Sequence, residues 1–360
     1  MQPKRIPGVL VIYTGGTIGS WPRDPQEPLS PLKPTTDIKK VMGMLPFYDP
    51  DNSLLRLENV LVPVNTYSLH EPLDSARIQV CDWQNLARLI YNNYNDYSGF
   101  VILHGTDTLA YTASALSFML PGLNKPVVLT GAQRPIGQSR SDAVQNLMTA
   151  IEIAAQEYLG NPPIPEVSVF FGDRLLRGNR STKISSRSYG AFVSPCFPSL
   201  GKSGVRLQIR RELILKPKTC PLQILEKIDP NLVCFDLFPG MNFSFMQHIC
   251  NTPGLRGIIL KSFGSGNTPE TGEFLDAIKN ASDSGKIVVN VSQCLEAEVM
   301  MGKYESSAKL KDLGVISAHD MTFEAALTKL FVLLGQEDDI TCVKKQFGQE
   351  IAGEMLRETA

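Results

Sequence analysis

Three stretches of this 360-residue chain place hydroxyls and glycines immediately after short apolar runs. Residues 9–13 (VLVIY) lead into Thr14-Gly15-Gly16-Thr17, and residues 100–103 (FVIL) lead into His104-Gly105-Thr106-Asp107-Thr108. Residues 127–130 (VVLT) lead into Gly131-Ala132-Gln133-Arg134-Pro135. A threonine hydroxyl can serve as a nucleophile, and paired glycines let the backbone that carries it come close to a small ligand. Each stretch alone reads as a tight turn or a helix cap; Thr-Asp-Thr before Leu109 would make an ordinary N-cap. Three such ends, one of them carrying a carboxylate, point instead to a shared site. Ligands of open α/β sheets bind beyond the carboxyl ends of the strands, which is where all three would lie.

The elements that must position these residues follow from hydrophobic periodicity. Short β-rich runs alternate with helical patterns, which predicts an α/β fold with mainly parallel sheets. Strands are expected at residues 9–13, 60–64, 100–103, 127–130 and 167–171. Asp82 is placed to cap a helix with Leu86, Leu89, Ile90 and Tyr94 on one face, and Ser141 one with Val144, Leu147, Met148, Ile151 and Ala155. Both stripes read as core. Residues 195–221 then change character, with Pro, Gly, Ser and a basic segment, and read as an inter-domain connection over 201–221 with room for one strand. The pattern resumes with strands at 232–235, 257–260 and 287–291 and helices at 270–282 and 323–334. A polar tail from Gln336 predicts one more helix. Pro22, Pro25, Pro28, Pro31 and Pro34 recur at every third position, which predicts a stiffened loop where a lid would lie, in preference to a polyproline ligand for a partner domain.

Composition removes several classes of function. The net charge is −1 with no long basic run, so neither a nucleic-acid nor an anionic-membrane footprint is expected. No apolar stretch is long enough to span a bilayer, and the apolar run after the basic N-terminus is too short for a secretory signal. The 7 cysteines are scattered without a C-x-x-C pair, and the 4 histidines are equally dispersed. That pattern argues against a disulfide framework and a metal centre, and fits the cytoplasm. Gly201-Lys202-Ser203 lacks the leading glycine of a P-loop, because Cys196 stands there, and Gly264-Ser265-Gly266 lacks the third glycine of a dinucleotide loop.

The blocks YTGGTIG, HGTDT and TGAQRP resemble the signature blocks of bacterial-type L-asparaginases. PLDSAR (72–77), RGNRSTK (177–183), FGSGN (263–267), NVSQC (290–294) and HDMTFEAALTKL (319–330) extend the likeness in order over about residues 8–335. With no signal segment, the chain is most similar to the cytosolic type I branch. The resemblance implies a larger N-terminal α/β domain over 1–200, a smaller C-terminal one over 222–335 and a helical tail over 336–360. It implies hydrolysis of L-asparagine to L-aspartate and ammonia without cofactor or metal, by a homodimer or homotetramer.

By the same resemblance, Thr17 would attack the side-chain amide carbon and form an acyl-enzyme. Thr106, Asp107 and Lys183 would make a second hydrogen-bonded line, with Asp107 a buried carboxylate facing the substrate ammonium. Ser75 and Asp74 would hold the α-carboxylate, and backbone near Gly16, Thr106 and Ala132 would surround the amide. Taken alone, Lys183 reads as a solvated loop lysine and Ser75 as a helix cap. Family members use a lid tyrosine, but residues 18–36 contain none and Tyr13 belongs to the first strand. Tyr304 is the expected substitute, reaching a neighbouring subunit's site. A regulatory asparagine site in the branch corresponds to Thr182, Lys261 and Cys294, with Lys261 in place of an arginine and Cys294 by default a small buried residue. The alternatives are a glutaminase-asparaginase of relaxed specificity, a tRNA amidotransferase subunit disfavoured by the short stretch before Thr17, and an amino-acid-binding sensor without turnover.

Overall fold

Residues 9–15 are buried without exception, as a strand covered on both faces must be. The computed structural model describes residues 8–24, 26–27, 30–302 and 305–356. They divide into two units: the chain through Ser194 with Pro198–Ile224, and Pro195–Phe197 with the chain from Leu225.

In the first unit the strands are β1 (Val9–Gly15), β2 (Ser20–Pro22), β3 (Leu32–Pro34), β4 (Tyr48–Asp49), β5 (Leu54–Leu57), β6 (Val60–Leu73) and β7 (Gly99–Leu103). They continue as β8 (Val127–Thr130), β9 (Val167–Phe171), β10 (Arg174–Arg177), β11 (Thr182–Lys183), β12 (Phe192–Val193), β13 (Gly201–Ser203) and β14 (Leu207–Ile209). Ten of them form one sheet in the order β14-β13-β10-β9-β8-β7-β1-β6-β5-β4, while β2 pairs with β3 and β11 with β12. The neighbours from β9 through β6 are parallel, and both flanks are antiparallel. The chain passes from β1 to β6 on one side and then crosses to β7 on the other. That reversal opens a crevice at the carboxyl ends of β1 and β7.

Helices cover the faces. Val80–Asn92 buries Trp83, Leu86, Ala87 and Ile90, and the Asp82 carboxylate accepts from the Gln79 amide at 2.8 Å, so Asp82 caps from inside the first turn. Ala143–Ala154 follows Asp142, and the Ser141 hydroxyl accepts from the Ala143 amide at 3.1 Å. Leu109–Met119 is buried at nearly every position, with small residues letting it lie against the 178–180 turn. Residues 201–221, read above as a connection, lie in the first unit: β13 and β14 extend its sheet, because β10 leaves an antiparallel edge that they satisfy.

The second unit holds four parallel strands in sequential order: β15 (Leu232–Asp236), β16 (Gly257–Ser262), β17 (Ile287–Ser292) and β18 (Ile316–Ser317). Phe243–Cys250 and Gly272–Asp283 pack Phe243, Met246, Phe274 and Ile278 onto one core with Ile258, Leu260 and Val288. Sequential order gives this sheet no reversal point. The tail forms Ile340–Phe347, with Val343 and Phe347 fully buried, and then returns so that Glu354 meets the buried Lys329. Tyr304, Pro25 and Pro28 lie outside the described residues. Among the described residues no helix is long and apolar enough to cross a membrane.

Candidate functional site

The crevice predicted by the strand order is occupied by the three loops. Between Tyr13 and Gly15 the β1–β6 register shifts, from Tyr13 opposite Ser68 to Gly15 opposite Leu73. This bulge turns β6 inward, the Gly16 amide donates to the Leu73 carbonyl at 2.9 Å, and the next residues, Asp74 and Ser75, arrive beside the β1 loop. Gly16 has φ +82, and a Cβ there would stand 2.4 Å from both Cα and N of Gly105. A Cβ on Gly105 would in turn stand 2.6 Å from Ser75 Oγ. The glycines therefore let three loops pack backbone against backbone. The result is a cavity of about 300 Å³ lined by Gly16, Thr17, Ser20, Leu32, Pro34, Asp74, Ser75, Gly105, Thr106, Asp107, Gln133, Lys183 and Ser186.

Lys183 reaches this cavity from β11. Its Nζ donates to Thr106 Oγ1 at 2.8 Å and to Asp107 Oδ1 at 2.6 Å. An ammonium has no acceptor lone pair, so in this geometry the Thr106 proton is directed elsewhere and the hydroxyl oxygen sits in a positive field. Asp107 was expected to be buried, yet its side chain is 63% exposed, with Lys183 paired to it. Ser75 is buried, and its Oγ accepts from the Asp107 amide at 3.2 Å while its carbonyl accepts from Thr108 Oγ1 at 2.8 Å. The Ser75 proton remains available to a ligand. Asp74 caps the short turn that follows, accepting from the Ala76 amide at 3.1 Å.

Beneath the loops lies a fixed polar network. His104 Nδ1 contacts the Gly105 carbonyl at 2.7 Å and Nε2 the Thr112 hydroxyl at 2.9 Å, which itself accepts from Trp83 Nε1 at 3.0 Å. A carbonyl only accepts, so Nδ1 carries the proton and Nε2 receives one from Thr112. Burial pulls the imidazole down to about 4. Tyr13 is fully buried and donates to the Gly19 carbonyl at 3.2 Å; burial pushes its phenol well above the ordinary value. It is a strand residue outside the cavity.

The structure thus gathers Gly16, Thr17, Asp74, Ser75, Thr106, Asp107 and Lys183 on one cavity. Ala132 is buried at 1% exposure and is not part of the lining; its neighbour Gln133 takes that position. Leu32 and Pro34 come from the proline-spaced segment, where a lid was expected, through the β2–β3 pair. Ser186, in an exposed polar turn, carried no sequence signal. Thr182 is buried on β11 in the first unit. In the second unit Lys261 pairs with Asp236 at 2.9 Å, and Cys294 is exposed, contrary to the expectation of burial, because it lies past the end of β17. Among the described residues no cluster of His, Cys, Asp and Glu could hold a metal ion.

A five-stranded parallel centre with its site at the reversal point, followed by a smaller parallel unit, is the two-domain asparaginase fold. The chain belongs to the asparaginase family: the profile of the asparaginase N-terminal domain matches residues 8–215, and that of the glutaminase/asparaginase C-terminal domain matches residues 231–347. It is 39% identical to L-asparaginase 1 of Escherichia coli over 358 residues, 99% of each chain. It is 38% identical to the 60 kDa lysophospholipase of Mus musculus over 369 residues, 99% of this chain and 63% of that longer protein. The crystal structure of L-asparaginase I from Vibrio cholerae superposes with a TM-score of 0.85 at 36% identity, covering 98% of this chain and 100% of that one.

Proposed function

We propose that this protein is a cytoplasmic L-asparagine amidohydrolase, releasing L-aspartate and ammonia without a cofactor. The observation that carries the reading is the Lys183 ammonium held on both Thr106 and Asp107 within a cavity that Thr17 also lines. Thr17 is the nucleophile and passes through an acyl-enzyme; backbone amides around Gly16 and Thr106 face the developing oxyanion. Thr106 relays the proton given up by Thr17 to the departing nitrogen and, in deacylation, relays one from the attacking water back to Thr17; Lys183 lowers the cost of negative charge on the Thr106 oxygen between these transfers. Asp107, with one face open to solvent, receives the substrate ammonium, and the free Ser75 proton meets the α-carboxylate beside the Asp74–Ala76 backbone.

The family relatives include a lysophospholipase by name, so the lining bears on substrate class. Apart from Leu32, Pro34 and two glycines it is made of Thr, Ser, Asp, Gln and Lys, which gives an acyl chain nothing to bury against and suits a zwitterion. Asparagine is proposed over glutamine because the relatives above carry the name L-asparaginase; an added methylene in a pocket is worth about 1–3 kcal/mol. Tyr304 supplies a further hydroxyl from a neighbouring subunit of a homodimer or homotetramer. In the second unit Lys261 and Cys294 mark a candidate regulatory asparagine site, one that a lysine in place of an arginine would weaken, since the two differ in carboxylate recognition.

Ammonia release by the purified protein, measured across a wide range of L-asparagine with L-glutamine alongside, tests the reading. Saturating release with asparagine, weaker release with glutamine and loss of both in Thr17→Ala are expected, and a sigmoidal curve would support the regulatory site. Binding of asparagine with no ammonia above background would overturn catalysis in favour of a sensor. Unchanged turnover in Tyr304→Phe would remove that residue from the mechanism.

A further inference from the structure

The loop after β8 and the turn between β11 and β12 are distant in sequence and meet through one side chain. Gln133 Nε2 donates to the Ser185 carbonyl at 3.2 Å and to the Ser188 carbonyl at 3.0 Å. Both amide protons are used on main-chain acceptors, which pins the turn by its backbone whatever side chains it carries. The base of the turn is closed by the β11–β12 pair and by the Ile184 amide on the Ala191 carbonyl at 2.8 Å, which leaves its tip, residues 185–190, to be placed by side chains. Its internal bonds, from the Arg187 and Ser188 amides to Ser185 Oγ at 3.0 Å each, fix its shape and not its place. A second tether runs from the Tyr189 hydroxyl to the Arg140 carbonyl.

The other end of the bridge is rigid. The Gln133 amide donates to both Asp142 oxygens, at 3.1 and 3.0 Å, and the Arg134 amide donates to the same carboxylate at 3.2 Å. Asn146, 1% exposed, holds that carboxylate at 3.1 Å and the Gly131 carbonyl at 3.0 Å, and accepts from the Gly172 amide at 3.1 Å. A buried carboxylate bonded on every side does not move without large cost. Gln133 therefore links a fixed bracket to an exposed turn.

What the turn carries gives this link its meaning. Lys183 stands two residues before Ser185, and Ser186 is part of the lining of the cavity that Thr17 and Thr106 also line. We propose that Gln133 is a positioning residue: it latches the 184–190 turn and so fixes both the Lys183 ammonium on Thr106 and the Ser186 wall that limits the length of amide side chain the site accepts. This rests on the amidohydrolase reading for its effect on specificity, though not for the latch itself. With the latch released, the turn swings outward, the ammonium loses its place, and room for one more methylene opens.

Gln133→Met keeps the length of the side chain and removes both donors. Hydrogen–deuterium exchange on the intact protein, resolved by mass spectrometry, is expected to quicken at residues 184–190 and not at 100–108. With asparagine, kcat is expected to fall by on the order of ten- to a hundredfold, as misplacing a charged group does. KM should move by less than about threefold, and the asparagine-to-glutamine ratio of kcat/KM should narrow. A general loss of structure would instead depress all substrates and regions alike. Tyr189→Phe, which removes the second tether without touching the cavity lining, should shift exchange and ratio in the same direction by less, and decides the matter if Gln133→Met does not fold. Unchanged exchange at 184–190 overturns the latch whatever the kinetics show. Faster exchange with unaltered kcat and an unaltered ratio overturns its role in the site. A wild-type protein that hydrolyses neither amide overturns the amidohydrolase reading alone, and the exchange result then decides the latch.

Discussion

Replacing Lys183 with Met separates what this lysine does for turnover from what it does for folding. Its Nζ lies 2.8 Å from Thr106 Oγ1. At that distance and an effective dielectric constant of about 20, a full negative charge on the oxygen would be stabilised by about 6 kcal/mol. If about half a charge develops there in the transition state, the loss is about 3 kcal/mol, or about two orders of magnitude in kcat. The folding side is much smaller. Asp107, the ion-pair partner, has a 63% exposed side chain, so solvent screens the pair and its net worth is under about 1 kcal/mol. Lys183→Met should therefore lose about a hundredfold in ammonia release while its thermal midpoint shifts by no more than about 2–4 °C. Steady-state ammonia release and a thermal melt on the same preparation make the comparison. Turnover within about threefold of wild type would refute the electrostatic role. A collapse of the melt together with activity would mean that Lys183 is structural.

Three further outcomes follow from the packing. Gly16→Ala would drive a Cβ to 2.4 Å from Gly105 at φ +82, so the loops must separate; activity should fall below detection in the ammonia assay, and a near-wild-type rate would show that the loops can move apart. His104 is neutral in both folded and unfolded chains above pH about 6.5, and on acidification the unfolded chain takes the proton first. Stability should therefore fall as pH drops from about 6.5 through about 4, by about 3 kcal/mol in all, and a His104→Asn variant should show a flatter pH dependence of its urea midpoint; equal slopes would refute the assignment. In the second unit, Lys329 donates to the Phe347 and Gln349 carbonyls and to Glu354, with both charged side chains fully buried. Lys329→Met should cost about 3–5 kcal/mol in urea unfolding by stranding the carboxylate, and adding Glu354→Gln should recover part of it; no recovery would assign the cost to packing.

Much of the site was legible because each strand end carries its chemistry within a few residues of the strand. The alternation of β-rich and helical runs set the fold class, and Thr17 on one side and Thr106 and Asp107 on the other stand where two strands must end. The proline-spaced segment was expected to be a stiffened loop; its described ends pair as β2 and β3, and Leu32 and Pro34 line the cavity. Other features were out of reach of periodicity. Residues 201–221 looked like a linker because their strands are three residues each and edge strands carry no buried alternation, yet β13 and β14 complete a ten-stranded sheet. Asp107 looked like a buried ion-pair member, and its exposure depends on which loops fail to cover it.

The sequence by itself determined that the stretches rich in hydroxyls and glycine would sit at strand ends, a local consequence of side-chain type and period. Which ends share one cavity was decided only by the tertiary structure. The reversal of strand order around β1, the bulge that turns β6 inward, and the absence of side chains at Gly16 and Gly105 bring Thr17, Ser75 and Thr106 together. Lys183 and Gln133 join them across 50 or more residues of chain, through bonds that exist only once the sheet has formed. Contacts at that separation depend on how whole elements pack, and no local pattern records the packing.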